Sequence, residues 1–120
     1  MSENTQTDLG EVKIHKSVIA SIATETTKQI PGIIKIGKNL KASFLEFLGK
    51  KDSAIKIEFD KNGEAIITIP IVVKYGYSIP EIASKIQEDV KLAVESATSI
   101  LIKDINVNIQ QIEKSNEDTI

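Results

Sequence analysis

The residues that most invite a chemical reading are Gly76, Ser78 and Glu81, in the run "YGYSIPEIASKIQEDVKLAVE" (75–95). They follow the β-forming run "AIITIPIVVK" (65–74), so a glycine sits where a strand hands over to a helix. The free N–H groups and the dipole of such a helix start can hold a phosphate. Three features weigh against it here. The turn has one glycine rather than a glycine-rich loop. Ser78 is placed to cap the helix, in a Ser-x-x-Glu pattern with Pro80 in the first turn. Glu81 puts a negative charge where the phosphate would sit. The turn reads as a strand-to-helix corner, with Gly76 there to let the backbone bend.

Other chemistry is thin. His15 is the only histidine and cysteine is absent, so no metal-ligand set, disulfide framework or thiolate site is announced. The plainer reading of His15 is a capping or surface residue at the start of a helix. No serine or threonine lies in a nucleophile motif, and the carboxylates are scattered over polar faces. All 15 basic residues are lysine, so the planar fork that arginine offers to phosphate and carboxylate is missing. These observations point to a protein without catalytic residues and without a cofactor.

The elements that must position any surface follow from length and pattern. A chain of 120 residues with a net charge of −2 suggests one domain with a modest core and no global attraction to nucleic acid or membrane. The start "MSENTQTDL" is not a secretory signal, and no apolar run is long enough to span a bilayer. Residues 1–9 and 113–120 read as loose tails around a single folded unit from 10 to 112. "EVKI" (11–14) alternates like a short strand. A helix follows over about 16–29, with Val18, Ile19, Ile22, Ala23, Thr26 and Ile30 at helical spacing, and Pro31-Gly32 ends it. Leu40, Phe44, Phe47 and Leu48 suggest a short helix over about 39–48. "AIKIEFD" (54–60) alternates cleanly, and Asn62-Gly63 signals a hairpin into a strand over about 65–75. In that strand Pro70 requires a bulge or a locally unpaired edge. The helix over about 79–97 carries Ile79, Ile82, Ala83, Ile86, Val90, Ala93, Val94 and Ala97 on one face. A last strand covers about 104–112, with Ile105, Val107 and Ile109 inward. The order β-α-(α)-β-β-α-β predicts an α+β, two-layer sandwich with helices on one face of a mainly antiparallel sheet.

Three surfaces then come into question. The lysines Lys35, Lys38, Lys41, Lys50 and Lys51 cluster in sequence with only Glu46 against them, and could hold a nucleic-acid backbone weakly; a solvated basic face is the plainer reading. The aromatic platforms of RNA-recognition folds are missing, apart from Tyr75 at a strand end, and no GxxG loop joins two helices. The apolar face of 39–48, flanked by lysines, resembles a membrane-surface helix but is short for one, and core packing explains it as well. The third surface consists of apolar residues on faces otherwise polar: Ile66 and Val72 on the long strand, and Leu92 among Lys85, Asp89 and Ser96 on the second helix. Bunched apolar exposure marks contact with other chains, so these three are the candidates for self-association or partner binding.

These pieces, taken in order, resemble the alkaline-shock (envelope stress response) family of bacteria. The matching residues are Gly10-x-Val12-x-Ile14, "SVIASIA" (17–23), Gly32-Ile33, "VVKYG" (72–76), Ile79, Glu81, Ala83, Ile86-Gln87, Val90, Val94-Glu95 and "INVNI" (105–109). The chain departs from the family pattern at Lys35 and Ser99, where relatives often carry glycine, and near His15, where a serine-type cap is usual. The resemblance implies a small cytoplasmic, non-catalytic protein tied to cell-envelope homeostasis. It implies self-association, a membrane-anchored protein as a partner, and location at the inner face of the membrane through that partner. It brings no catalytic residue with it.

Overall fold

The computed structural model describes residues 2–37 and 54–114. Its elements run α1 (Ser2–Lys28), β1 (Ile33–Ile36), β2 (Lys56–Phe59), β3 (Ala65–Lys74), α2 (Ile79–Thr98) and β4 (Ile102–Glu113). The fold is α+β: two helices lie against one face of a four-stranded sheet.

The strand β3 is central. Its residues Ala65, Ile67, Ile69, Ile71 and Val73 face the helices and are almost fully buried with Ile19 and Ala23 of α1 and Ile82, Ile86, Val90 and Val94 of α2. β4 runs parallel to β3 along its whole length, and β3, α2 and β4 form a parallel crossover unit. The other edge of β3 is shared by two short antiparallel strands placed end to end. β2 pairs with Ala65–Thr68, and β1 pairs with Ile71–Val73. The sheet is therefore mixed, and its longest pairing is parallel.

Pro70 explains the seam. Even-numbered residues of β3 direct their backbone groups toward β1 and β2: the N–H of Lys74 donates to Gly32 O, and Pro70 O accepts from the N–H of Gly37 at 2.8 Å. Pro70 lacks an N–H, and it falls in the gap between the last partner of β2 and the first partner of β1. The missing donor meets no missing acceptor, as expected for a proline at a locally unpaired edge.

The N-terminal third differs from the sequence reading. "EVKI" forms no strand. It belongs to α1, which begins at Ser2, inside the stretch expected to be a tail. Four alternating residues without a hairpin partner cannot compete with a helix that already runs downstream, because extending a helix costs far less than nucleating one. The strand that the sheet needs comes after the helix instead, as "IIKI" between Gly32 and Gly37. His15 accordingly lies within the helix, exposed, and not at its start. At the other end, β4 extends to Glu113. The helix expected over 39–48 lies outside the described residues.

The corner before α2 is held twice. Ser78 is the N-cap, its Oγ accepting from the N–H of Glu81 at 3.4 Å, with Pro80 in the first turn. Gly76 has φ +101° and open space around it, so only its backbone freedom matters. Gly32 is tighter. At φ +98°, a Cβ there would lie 2.8 Å from the Tyr77 ring and 2.9 Å from Ile82 Cδ1. The close approach of Tyr77 and Ile82 to this backbone ties the exit of α1 to the entry of α2.

Beyond α2, the crossover into β4 is fixed by polar contacts. Thr98 Oγ1 donates to Val94 O and accepts from the N–H of Ile100, and Glu95 Oε2 accepts from the N–H of Ile102. Ser99 ends the helix at φ +65°, a left-handed conformation that glycine adopts without strain.

Two substitutions test this account by thermal or denaturant unfolding. Gly32→Ala should destabilise the protein by about 1–3 kcal/mol, from the positive φ and the overlap with Tyr77. Ser99→Gly should stabilise it by about 1 kcal/mol or less, since it relieves a left-handed residue.

Candidate functional site

The three apolar candidates do not form one surface. Leu92 is 69% exposed on the solvent side of α2, beside an ion pair between Lys85 and Asp89 at 3.4 Å. Ile66 is half-buried on the opposite layer, the outer face of the sheet, with Glu58 and Asp104 as its cross-strand neighbours. Val72, on that same outer face, is fully buried and offers no exposed surface. It sits on the central strand, with Lys35 and Gln111 in register on either side. An alternation pattern assigns Val72 a face but cannot reveal that the face is covered there.

Of the candidate lysines, Lys35 lies on β1 and is partly buried; Lys38, Lys41, Lys50 and Lys51 lie outside the described residues. Lys35 shares a cleft of about 650 Å³ with Lys28, Thr24, Ile33, Ile34, Ile36 and Ala54, lined by the end of α1 and by β1. Sequence reasoning missed Lys28. It stands in the last turn of the helix before Pro31-Gly32, and only the reversal of the chain at that turn brings it beside Lys35. Lys28 also lies 3.9 Å from Glu25, so part of its charge is met within the helix.

Other exposed apolar side chains are not among the contact candidates read from the sequence. Tyr75, Tyr77, Leu101 and Ile112 are among them, at 60%, 44%, 59% and 50% exposure. Tyr75 follows β3 and Lys114 follows β4, and the Lys114 ammonium stands 5.5 Å from the centre of the Tyr75 ring, a cation–π contact at the C-terminal end of the parallel pair. Among the described residues no group of three or more His, Cys, Asp or Glu could hold a metal ion, and no helix is long and apolar enough to cross a membrane.

The most organised polar feature is Asp60, in the turn between β2 and β3. Its Oδ1 accepts from the N–H groups of Asn62 and Glu64, both at 2.9 Å, closing the turn around Gly63. Its Oδ2 is buried and lies 3.6 Å from Lys103 Nζ on β4, an ion pair too long to be a hydrogen bond. The bond from Glu64 N–H does most to hold this carboxyl below its usual value of 3.8; burial opposes it, and the Asn62 N–H and the Lys103 charge add to the lowering. The group thus links the hairpin turn to the start of the parallel strand.

Taken as a class, this is a small α+β domain whose polar groups stitch turns and caps together, and whose candidate sites are surfaces. Residues 4–114 match the alkaline shock protein 23 family, described by a cell envelope-related function, and the chain belongs to that family. The protein YqhY of Bacillus subtilis (strain 168) is 30% identical over 112 residues, which cover 92% of this chain and 83% of YqhY. YloU from the same organism is 29% identical over 119 residues, covering 97% of this chain and 99% of YloU. Among solved structures, the copper form of the MamM CTD aligns with 85% of this chain and 88% of its own at a TM-score of 0.48 and 15% identity, too loose a likeness to bear on function.

The lowered pKa of Asp60 fixes the sign of a pH effect. Its contribution to stability is present above 3.8 and is lost as pH falls through the lower folded value. In thermal melts, Asp60→Asn should be less stable than the parent at neutral pH. That difference should shrink as pH falls below 3.8 and through the lower folded value. A difference that stays constant with pH would mean that the turn depends on side-chain shape and not on charge.

Proposed function

We propose that this protein is a non-catalytic scaffold or adaptor of the cell envelope that works by associating with itself and with a protein partner. The observation that carries this reading is the exposed apolar surface of a small domain in a family of cell envelope-related function, with Leu92 at its most exposed on an otherwise charged helix face. A leucine kept in water on a helix that already buries Ile82, Ile86, Val90 and Val94 adds nothing to the core. Its removal from water on contact with another chain is favourable, on the order of 1–2 kcal/mol. In this reading the domain resides in the cytoplasm and reaches the membrane through an anchored partner.

A second reading uses the pair Lys28 and Lys35, which line one cleft, as a weak anchor for a nucleic-acid backbone. The two readings differ in their response to salt. Phosphate contacts weaken steeply as salt is added, whereas an apolar contact does not.

Molar mass in solution should be measured by size-exclusion chromatography with light scattering, across protein concentrations and at two salt levels. We expect a concentration-dependent oligomer that persists at the higher salt, and we expect Leu92→Glu to weaken it by roughly tenfold. A monomer under every condition would overturn the self-association reading. An oligomer unaffected by Leu92→Glu would remove Leu92 from the contact and leave the reading standing.

A further inference from the structure

The open edge of β4 carries the inference. β4 is paired with β3 on one side, and no described strand pairs with its other side. The backbone groups on that side can be identified. Odd-numbered residues of β3 bond toward β4: the N–H of Ala65 donates to Leu101 O, and the N–H of Tyr75 donates to Glu113 O. With Ile67 opposite Ile105 in a parallel ladder, it is Asp104, Asn106 and Asn108 whose N–H and C=O groups meet β3. Ile105, Val107 and Ile109 therefore direct theirs away from the sheet. The Gln87 side chain corroborates this, since its Nε2 donates to Ile105 O at 3.0 Å from outside the β3 ladder. That carbonyl retains a second lone pair.

This edge lacks the usual protection. From Ile105 to Gln110 it holds no charge and no proline, the devices that keep exposed edges from pairing. It is also regular, for the two register shifts of β4 fall outside the stretch Asp104–Ile109. Its sequence, Ile105-Asn106-Val107-Asn108-Ile109, reads the same in both directions.

We propose that two copies of this protein join edge to edge through β4, antiparallel, about a two-fold axis at Val107, making one continuous sheet with all helices on the same side. The proposal rests on the self-association reading and names its surface. In this register Val107 meets its own copy, Ile105 meets Ile109, and Asn106 meets Asn108. The outward N–H and C=O groups of Ile105, Val107 and Ile109 then face one another as hydrogen-bonded pairs. The apolar side chains of these residues continue the core face across the junction, and the amides of Asn106 and Asn108, both exposed, can donate and accept in turn. Asp104 meets Gln110, so no like charges stand opposite. A strand of some other protein would need none of this symmetry; a second copy uses all of it. An isologous junction closes at the dimer, so growth beyond it requires a separate contact such as Leu92.

The test uses charge pattern on the two exposed asparagines, which leaves the core side chains untouched. The double variant Asn106→Lys, Asn108→Lys puts like charges opposite at both rungs. The double variant Asn106→Lys, Asn108→Glu puts opposite charges there. Light scattering across concentration, with circular dichroism to verify folding, should show the wild type self-associating. The first variant should be weakened by roughly tenfold or more, and the second restored to near wild-type association at low salt. A first variant that associates like the wild type would overturn the edge proposal while leaving self-association intact. Equal loss in both folded variants would overturn the register and with it the proposal. A wild type that is monomeric throughout, as for an edge kept for a foreign strand, would overturn both this proposal and the reading beneath it.

Discussion

Everything in this fold depends on satisfying one strand. β3 is apolar on nearly every residue from Ala65 to Val73, so it must be covered on its face and bonded along both edges. Its helix-facing side is met by the stripes of α1 and α2. One edge is met by β4 over its full length, the other by β1 and β2 in tandem. A buried backbone group without a partner costs as much as a lost hydrogen bond, so the two short strands cannot leave an ordinary residue between them. The chain meets that demand by placing Pro70 there, a residue with one fewer group to bond.

The polar contacts are arranged around the same strand. Asp60 closes the turn that feeds β3 and reaches across to Lys103. Glu95 and Thr98 deliver the chain from α2 into β4. Ser78 starts the helix that makes the crossover possible. These are short-range devices that set directions: they close a turn, start a helix and hand it on to a strand. In the function proposed above, what the outside of the domain joins is what counts, in a family with a cell envelope-related function.

Much of this was legible in the sequence because it is local. The alternation of "AIKIEFD", the Asn-Gly turn, the Ser-x-x-Glu start and the Ile82–Ile86–Val90–Val94 stripe each follow from rules acting over a few residues. The proline seam was legible too, though not which strands would flank it. What failed was what depends on partners far along the chain. "EVKI" and "IIKI" are equally good short strands, and only the helix running through the first decides between them. That the outer face is covered at Val72 but only partly at Ile66 is not written in the alternation of β3. Lys28 joins Lys35 only because the chain reverses at Pro31-Gly32. Leu92 was visible because an apolar residue off a regular stripe is a local anomaly. The symmetry of "INVNI" was equally visible, but it acquires meaning only once that strand is known to lie at an edge.

Gly37 and Ala54 bring out one more property of the architecture. A Cβ placed on Gly37 would touch the Ala54 Cβ at 3.4 Å, and Gly37 is itself bonded to Pro70. Gly37, just after β1, and Ala54, just before β2, thus lie together beside the seam. Gly37 has φ +128°, so any side chain there would carry backbone strain as well as press on Ala54. The seam of β3 is thus a three-way junction, where the central strand, the end of β1 and the approach to β2 each leave the others no room for a larger residue.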